Sequence, residues 1–314
     1  MSFLRRNKIT VIGAGNVGAT SAMRILESGL GDVVLLDVIE QTARGKAEDL
    51  MDAASLIGHR CTITGTSDYK DTKDSDVIVV TAGLARKPGM TREDLFHKNA
   101  AITRDVTVNF MRFSPSPVVI VVTNPLDIIS YAVYKESGLD SKKVFGMAGC
   151  LDSSRMNLMA SRSLNRPVDG IDSMVLGTHG QTMVPVASRS KVDNILLGDA
   201  ANKDTISNII EKTKSRGAEI VAYLGTGSAF YAPSAGVFRM VKAVLEDTQE
   251  IMPCSCMLQG EYGIHGIYLG VPAQIGRAGI EDILEIPLDE NEKRLLHAAS
   301  ESVRSQIAEL KIID

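Results

Sequence analysis

A chain of 314 residues is long for one compact core and points to two domains. With 44% hydrophobic and 23% charged residues it is too apolar to stay disordered. A net charge of −4 with both signs interspersed leaves no basic stripe for a phosphate backbone, so no nucleic-acid partner is expected.

The chain reads from its start as alternating β/α. Lys8-Ile9-Thr10-Val11-Ile12 follows a short polar start with two arginines and reads as a strand. With no leader-like apolar stretch or small-residue cleavage site, a cytoplasmic protein is expected. No run of about 18 apolar residues occurs, so no membrane span is expected either. Further short, β-branched runs follow at Val33 to Leu36, Val77 to Val80 and Val118 to Val122, the pattern of parallel strands buried between helices. Arg92 to Arg112 has helical spacing and is stopped by Ser114-Pro115-Ser116-Pro117. Past Phe145 the texture changes, and the domain boundary is set at 146. Helices are predicted at Leu151 to Leu164, Asp204 to Leu224, Gly236 to Glu246 and Asp289 to Leu310, with strands at Ser173 to Leu176 and Ile267 to Val271. The expected architecture is α/β: a Rossmann-type doubly wound parallel sheet (residues 1–146) followed by an α+β substrate domain (147–314). No flexible linker separates the halves, so they should share an interface.

Directly after the first strand stands Gly13-Ala14-Gly15-Asn16-Val17-Gly18, opening a helix. Such a loop turns tightly at its first glycine, lets a pyrophosphate approach the second, and packs helix on strand at the third. GxGxxG alone is weak. Here the run Val33 to Leu36 ends in Asp37, about 20 residues on, where a carboxylate accepts from the ribose hydroxyls and repels a 2′-phosphate. NAD is therefore expected over NADP. Two more strand ends enter the same crevice, Thr81-Ala82-Gly83 and Val122-Thr123-Asn124, and Asn124 is a candidate for contact with the nicotinamide ribose and the reacting oxygen.

Three arginines stand in suggestive settings. Arg86 and Arg92 flank Pro88-Gly89 in a turn that reads as a mobile lid, although a solvated basic loop is the plainer reading in isolation. Arg155 follows Asp152 by three residues, and a simple intrahelical ion pair is the plainer reading there. Of five histidines, His179 alone sits in a glycine-flanked turn after a strand, Gly177-Thr178-His179-Gly180. The cysteines Cys61, Cys150, Cys254 and Cys256 have no metal-ligand spacing with histidine, so buried free thiols and no metal are expected.

In motif order (GAGNVG, LLD, TAGLARKPGMTREDL, TNPLDI, LDSSR, GTHG, GSAFYAP) the chain resembles the lactate/malate dehydrogenase family, in its lactate-dehydrogenase-like malate dehydrogenase branch, over nearly its whole length. The resemblance implies His179 as proton acceptor and donor with Asp152 orienting it. It implies Arg155 as clamp on one substrate carboxylate, Arg92 as the group that polarises the carbonyl, and Asn99 as a cofactor contact. Arg86 then pairs the second carboxylate, where lactate-specific relatives place glutamine, and Ala229 stands where those relatives carry threonine. A homodimer or homotetramer is implied as well. The family's usual Gly-Gly-His-Gly-Asp here reads Gly177-Thr178-His179-Gly180-Gln181. Two other readings are weighed: a lactate dehydrogenase, opposed by Arg86, and a catalytically silent NAD sensor, whose hallmark would be loss of His179 or Asp152.

Overall fold

The structure is a computed structural model that describes residues 5–84 and 92–309, with side chains from residue 95 in the second segment. The first half runs β1 (Lys8–Ile12), α1 (Asn16–Glu27), β2 (Asp32–Leu36), α2 (Glu40–Asp52), α3 (Ala54–Ile57), β3 (Ile63–Thr66), β4 (Val77–Val80), α4 (Arg92–Met111), β5 (Val118–Val121), α5 (Leu126–Ser137) and β6 (Val144–Gly146). The second half runs α6 (Gly149–Leu164), β7 (Ile171–Asp172), β8 (Val175–Gly177), β9 (Met183–Pro185), β10 (Lys191–Val192), β11 (Ile195–Leu196), α7 (Leu197–Ala200), α8 (Lys203–Leu224), α9 (Tyr231–Glu246), β12 (Glu250–Gln259), β13 (His265–Gly276), β14 (Gly279–Ile283) and α10 (Glu290–Glu309).

The first six strands pair in parallel in the order β3-β2-β1-β4-β5-β6, the doubly wound arrangement whose order reverses between β1 and β4. Strand side chains alternate between two cores. Ile9, Val11, Val77, Val79 and Ile120 face α1, α2 and α9, while Ile78, Val80, Val119 and Val121 face α4 and α5.

The two halves share one sheet. β6 meets β12 antiparallel at Gly146 and Ser255, and the path continues through β13, β8 and β9, so the second half extends the parallel sheet across a single seam. A separate three-stranded sheet, β11-β10-β7, lies outside it.

Several elements differ from the sequence reading. The strand expected at Ser173 to Leu176 is β8, Val175–Gly177, because the Ser173 N–H is taken by the Asn157 side chain (3.0 Å) and pairing in the main sheet starts only beyond it. Helix α9 starts at Tyr231 rather than Gly236, since Pro233 falls in its first turn, where an intrahelical N–H is not required. In agreement with core packing as the plainer reading of their sequence, Met156 and Met159 are buried in a third core with Val175, Leu197 and Ile209. Among the described residues no helix is long and apolar enough to cross a membrane.

Candidate active site

The glycine loop sits at the point where strand order reverses. Gly13 has a φ of +107°, which favours glycine, and its N–H donates to Leu36 O at 2.7 Å. A Cβ on Gly18 would lie 1.9 Å from Gly13 O, so only glycine lets α1 start this close to the loop. A Cβ on Gly15 would meet nothing within 4 Å: the space over the loop is open. Gly15 caps α1 with no side-chain hydrogen bond, leaving the first N–H groups, from Asn16, Val17 and Gly18, to an anion.

Asp37 closes this cradle. Its Oδ2 accepts from Ala14 N (2.7 Å) and its Oδ1 from Ile39 N (2.9 Å), which fixes the carboxylate at the strand end and leaves a lone pair on each oxygen for ribose hydroxyls. Lys46, unremarkable in sequence on the polar stretch of α2, donates to Ala14 O at 2.6 Å. The Ala14 peptide is thus held at both ends. An open anion-binding helix start next to a fixed carboxylate fits a dinucleotide such as NAD.

Around the crevice Thr81 Oγ1 donates to Ile12 O and Gly13 O, and Thr123 Oγ1 to Ala82 O at 2.7 Å, tying three strand ends together. A Cβ on Gly83 would strike Thr123 at 2.6 Å. Val122 is half-buried and the Asn124 side chain is exposed. Asn99 lies beneath: it is buried, accepts from Leu84 N and donates to Leu84 O and Asn124 O, so its amide is fully used holding the crevice walls.

In the second half, the first turn of α6 carries Asp152, whose carboxylate is 2% exposed and bridges His179 and Arg155. Its Oδ2 lies 2.7 Å from His179 Nδ1, and its Oδ1 accepts from the Arg155 guanidinium at 3.1 Å. The ion pair expected as the plainer reading therefore exists, and the same carboxylate also holds the imidazole. β8 delivers His179: Val175 N donates to Ser153 Oγ (2.9 Å), locking the strand on α6, and Gly177 (φ +78°) and Gly180 (φ +145°) make the turn. With Nδ1 directed at an anion, Nε2 is the nitrogen offered to substrate. Thr178 and Thr182 join their hydroxyls beside the turn.

Burial is the largest influence on His179 and pushes it toward neutrality. The Asp152 charge and hydrogen bond, aided by Asp127 and opposed by Arg155, outweigh it and hold the pKa above the ordinary imidazole value. Arg155 is 11% exposed, and its buried Nε has no hydrogen-bond partner among the described residues. Ala229 is half-buried just ahead of α9. Arg86 lies outside the described residues, and Arg92 is placed only as the first residue of α4. The cysteines are all buried and free, and burial pushes the Cys150 thiol up to about 12. No cluster of three metal-ligating side chains occurs among the described residues.

A dinucleotide cradle at the strand-order reversal, with an imidazole held by a buried carboxylate at the seam of the second half, defines an NAD-dependent dehydrogenase. Residues 7–146 match the lactate/malate dehydrogenase NAD binding domain and residues 150–312 the alpha/beta C-terminal domain of the same family. The chain belongs to the lactate/malate dehydrogenase family. It is 46% identical over 305 residues to a malate dehydrogenase of Methanosarcina barkeri, covering 97% of this chain and 99% of that one. The malate dehydrogenase of Chlorobium phaeovibrioides is 46% identical, with 96% and 98% covered. Among solved structures, Cryptosporidium parvum malate dehydrogenase superposes with a TM-score of 0.95 at 40% identity, covering 98% of this chain and all (100%) of that one. A Cryptosporidium parvum lactate dehydrogenase, complexed with lactic acid and nicotinamide adenine dinucleotide, superposes with a TM-score of 0.96 at 35% identity, covering 99% and 100%.

Proposed function

We propose that this chain is a malate dehydrogenase, interconverting (S)-malate and oxaloacetate with NAD, with residues 1–146 as the NAD-binding unit and 147–314 as the catalytic unit. The observation that carries the reading is the Asp152 carboxylate shared between His179 and Arg155. It aligns a proton-transfer group and a carboxylate clamp side by side.

Bound NAD would supply the hydride acceptor for C2 of malate, and NADH the hydride donor in the reverse direction. Gly13, Ala14, Gly15, Asn16, Val17 and Gly18 would hold its pyrophosphate and Asp37 its adenine ribose. Thr81, Ala82, Gly83, Val122, Thr123 and Asn124 line its path, with Asn99 beneath them. Neutral His179 takes the malate hydroxyl proton at Nε2, and Asp152 stabilises the imidazolium that results. In the other direction the imidazolium donates that proton to the ketone oxygen. Arg155 binds the C1 carboxylate through its fork, Arg92 stabilises charge on the reacting oxygen, and Asn124 donates toward it. Arg86 pairs the second carboxylate. An unpaired buried charge is strongly unfavourable, so an arginine there selects the dicarboxylic acid over lactate. Identity of 46% to proteins named malate dehydrogenase supports the same choice.

The reading takes the protein as a cytoplasmic homodimer or homotetramer. Four buried free thiols suit a reducing compartment, and Leu56 and Tyr223, 87% and 77% exposed, suit a further subunit. The test follows NADH absorbance with purified protein on oxaloacetate and on pyruvate, then NADPH on oxaloacetate. Turnover confined to oxaloacetate with NADH is expected, and equal or faster turnover of pyruvate would reject the malate assignment. NADH binding with neither acid reduced would instead favour the silent sensor.

A further inference from the structure

Behind His179 lies a buried carboxylate that the hydride-transfer scheme does not use. Asp127 opens α5, is 5% exposed, and sits at the seam between the two halves. Its Oδ1 accepts from Ser255 Oγ at 2.6 Å; Ser255 of β12 is paired with Gly146 of β6 on one side and with Gly270 of β13 on the other, and Gly270 pairs with Gly177 of β8, two residues before His179. A Cβ on Gly146 would lie 2.8 Å from Ser130 Oγ and 2.9 Å from the Ser255 Cβ, so the glycine is what lets α5 and β12 close on each other here. Ser130, one turn along α5, is fully buried, and its hydroxyl has no hydrogen-bond partner among the described residues.

Burial pushes the Asp127 carboxyl up to about 6, against the Ser255 hydrogen bond, the His179 charge and the backbone N–H groups of His179 and Asp127 itself, all of which favour the ionised form. His179 is the charged group facing Asp127. His179 in turn faces Asp152 and Arg155 from α6 and Asp127 from α5.

A buried acid without function is disfavoured: an apolar residue in the same volume would avoid the desolvation penalty. We propose that Asp127 is a positioning residue for His179, fixing the backbone of the histidine turn from the cofactor half and holding the imidazolium charge, with Ser255 fixing Asp127. Asp152 orients the ring and Asp127 anchors the turn that carries it. Because Asp127 belongs to the NAD-binding half and His179 to the other, the pair sets the proton-transfer group relative to the nicotinamide end of the crevice. This inference rests on His179 being the proton-transfer residue.

The test compares pH profiles of kcat for both directions in the parent, Asp127→Asn and Ser255→Ala, with His179→Gln as reference. Asp127 raises the His179 pKa, so its replacement moves the His179-controlled limb of both profiles to lower pH. kcat is expected to fall by roughly tenfold, the scale of a charge-assisted hydrogen bond, with the KM for NADH within about twofold of the parent. Ser255→Ala, which takes away a bond favouring ionised Asp127, moves the limb in the same direction by less. A merely structural role lowers activity at every pH alike. Superimposable normalised profiles for Asp127→Asn and Ser255→Ala, with His179→Gln inactive, would overturn the Asp127 assignment alone. Full turnover by His179→Gln would remove the function reading beneath it. Should Asp127→Asn fail to fold, Ser255→Ala decides by the same limb.

Discussion

The Asp127 carboxyl gives a stability prediction whose size follows from its surroundings. Burial raises it from 3.8 to about 6, so the folded protein holds this proton more tightly than the unfolded chain does. The stabilising contribution of this group is therefore complete below the unfolded value and is lost as pH rises through the folded one. The full swing, about 2 pKa units at about 1.36 kcal/mol each, is about 3 kcal/mol. Between about pH 5 and pH 7.5 the corresponding part is on the order of 1 kcal/mol. Asp127→Asn keeps the shape and removes the titration. The new amide brings donors into a buried site, at a penalty of about 1–3 kcal/mol, so the absolute stability change has no fixed sign, but that penalty does not vary with pH. The quantity to measure is the difference between variant and parent, by urea denaturation at both pH values. Far-UV circular dichroism suits a chain with 0 tryptophans. The variant should gain on the parent by on the order of 1 kcal/mol on going from about pH 5 to pH 7.5. The same comparison in a His179→Gln background removes the imidazole's own titration. A difference that is flat with pH, or that favours the parent at the higher value, would refute a carboxyl strained by burial. Stability gained relative to the parent as pH rises, joined to lost turnover, is the signature of a group retained for function.

Other expectations follow from the same geometry. Gly15→Ala should fold with stability within ~1 kcal/mol of the parent yet weaken NADH binding by at least roughly tenfold, because its Cβ enters open space where the pyrophosphate belongs. Gly18→Ala should instead destabilise the fold by about 1–3 kcal/mol, its Cβ falling on Gly13 O. NADH fluorescence titration and thermal melts separate the two. Asp152→Asn should lower kcat by roughly a hundredfold or more and move the His179 limb to lower pH, since it removes the negative charge that raises that pKa. Arg86→Gln should depress oxaloacetate turnover and raise pyruvate turnover in steady-state assays, and an unchanged preference would sink the specificity argument.

What could be read from the sequence was local chemistry on a regular repeat. Val77 to Val80 is four β-branched residues, all buried, and such a run between turns has little choice but a central strand. Asp37 and the glycines were legible because the motif that positions them lies within one βαβ unit. β12 was not, because Pro253 and the polar Ser255 interrupt its apolar character, and a proline argues against a paired strand. In the fold Pro253 stands opposite Pro272 of β13, and on its other side β6 pairs only at Ser255, so no ladder bond is forfeited to β6 there. Lys46 was invisible for another reason. It is one basic residue on a polar helix, and its partner lies 32 residues earlier in a loop.

The same reason covers Asp127. In Thr123-Asn124-Pro125-Leu126-Asp127 an acid in the first turn of a helix is what the helix dipole alone would favour, so the residue called for no explanation. Its partner Ser255 is 128 residues away, and only the antiparallel seam between β6 and β12 brings the two together. A motif reports groups that meet a ligand along one stretch of chain. Groups that meet across the seam of two halves leave no such trace, although here they bear on the residue that would carry the proton. The seam therefore does chemical work as well as structural work: were it only a junction, Ser130, Asp127 and Ser255 could be replaced together by apolar residues of similar volume with no change in the pH dependence of turnover.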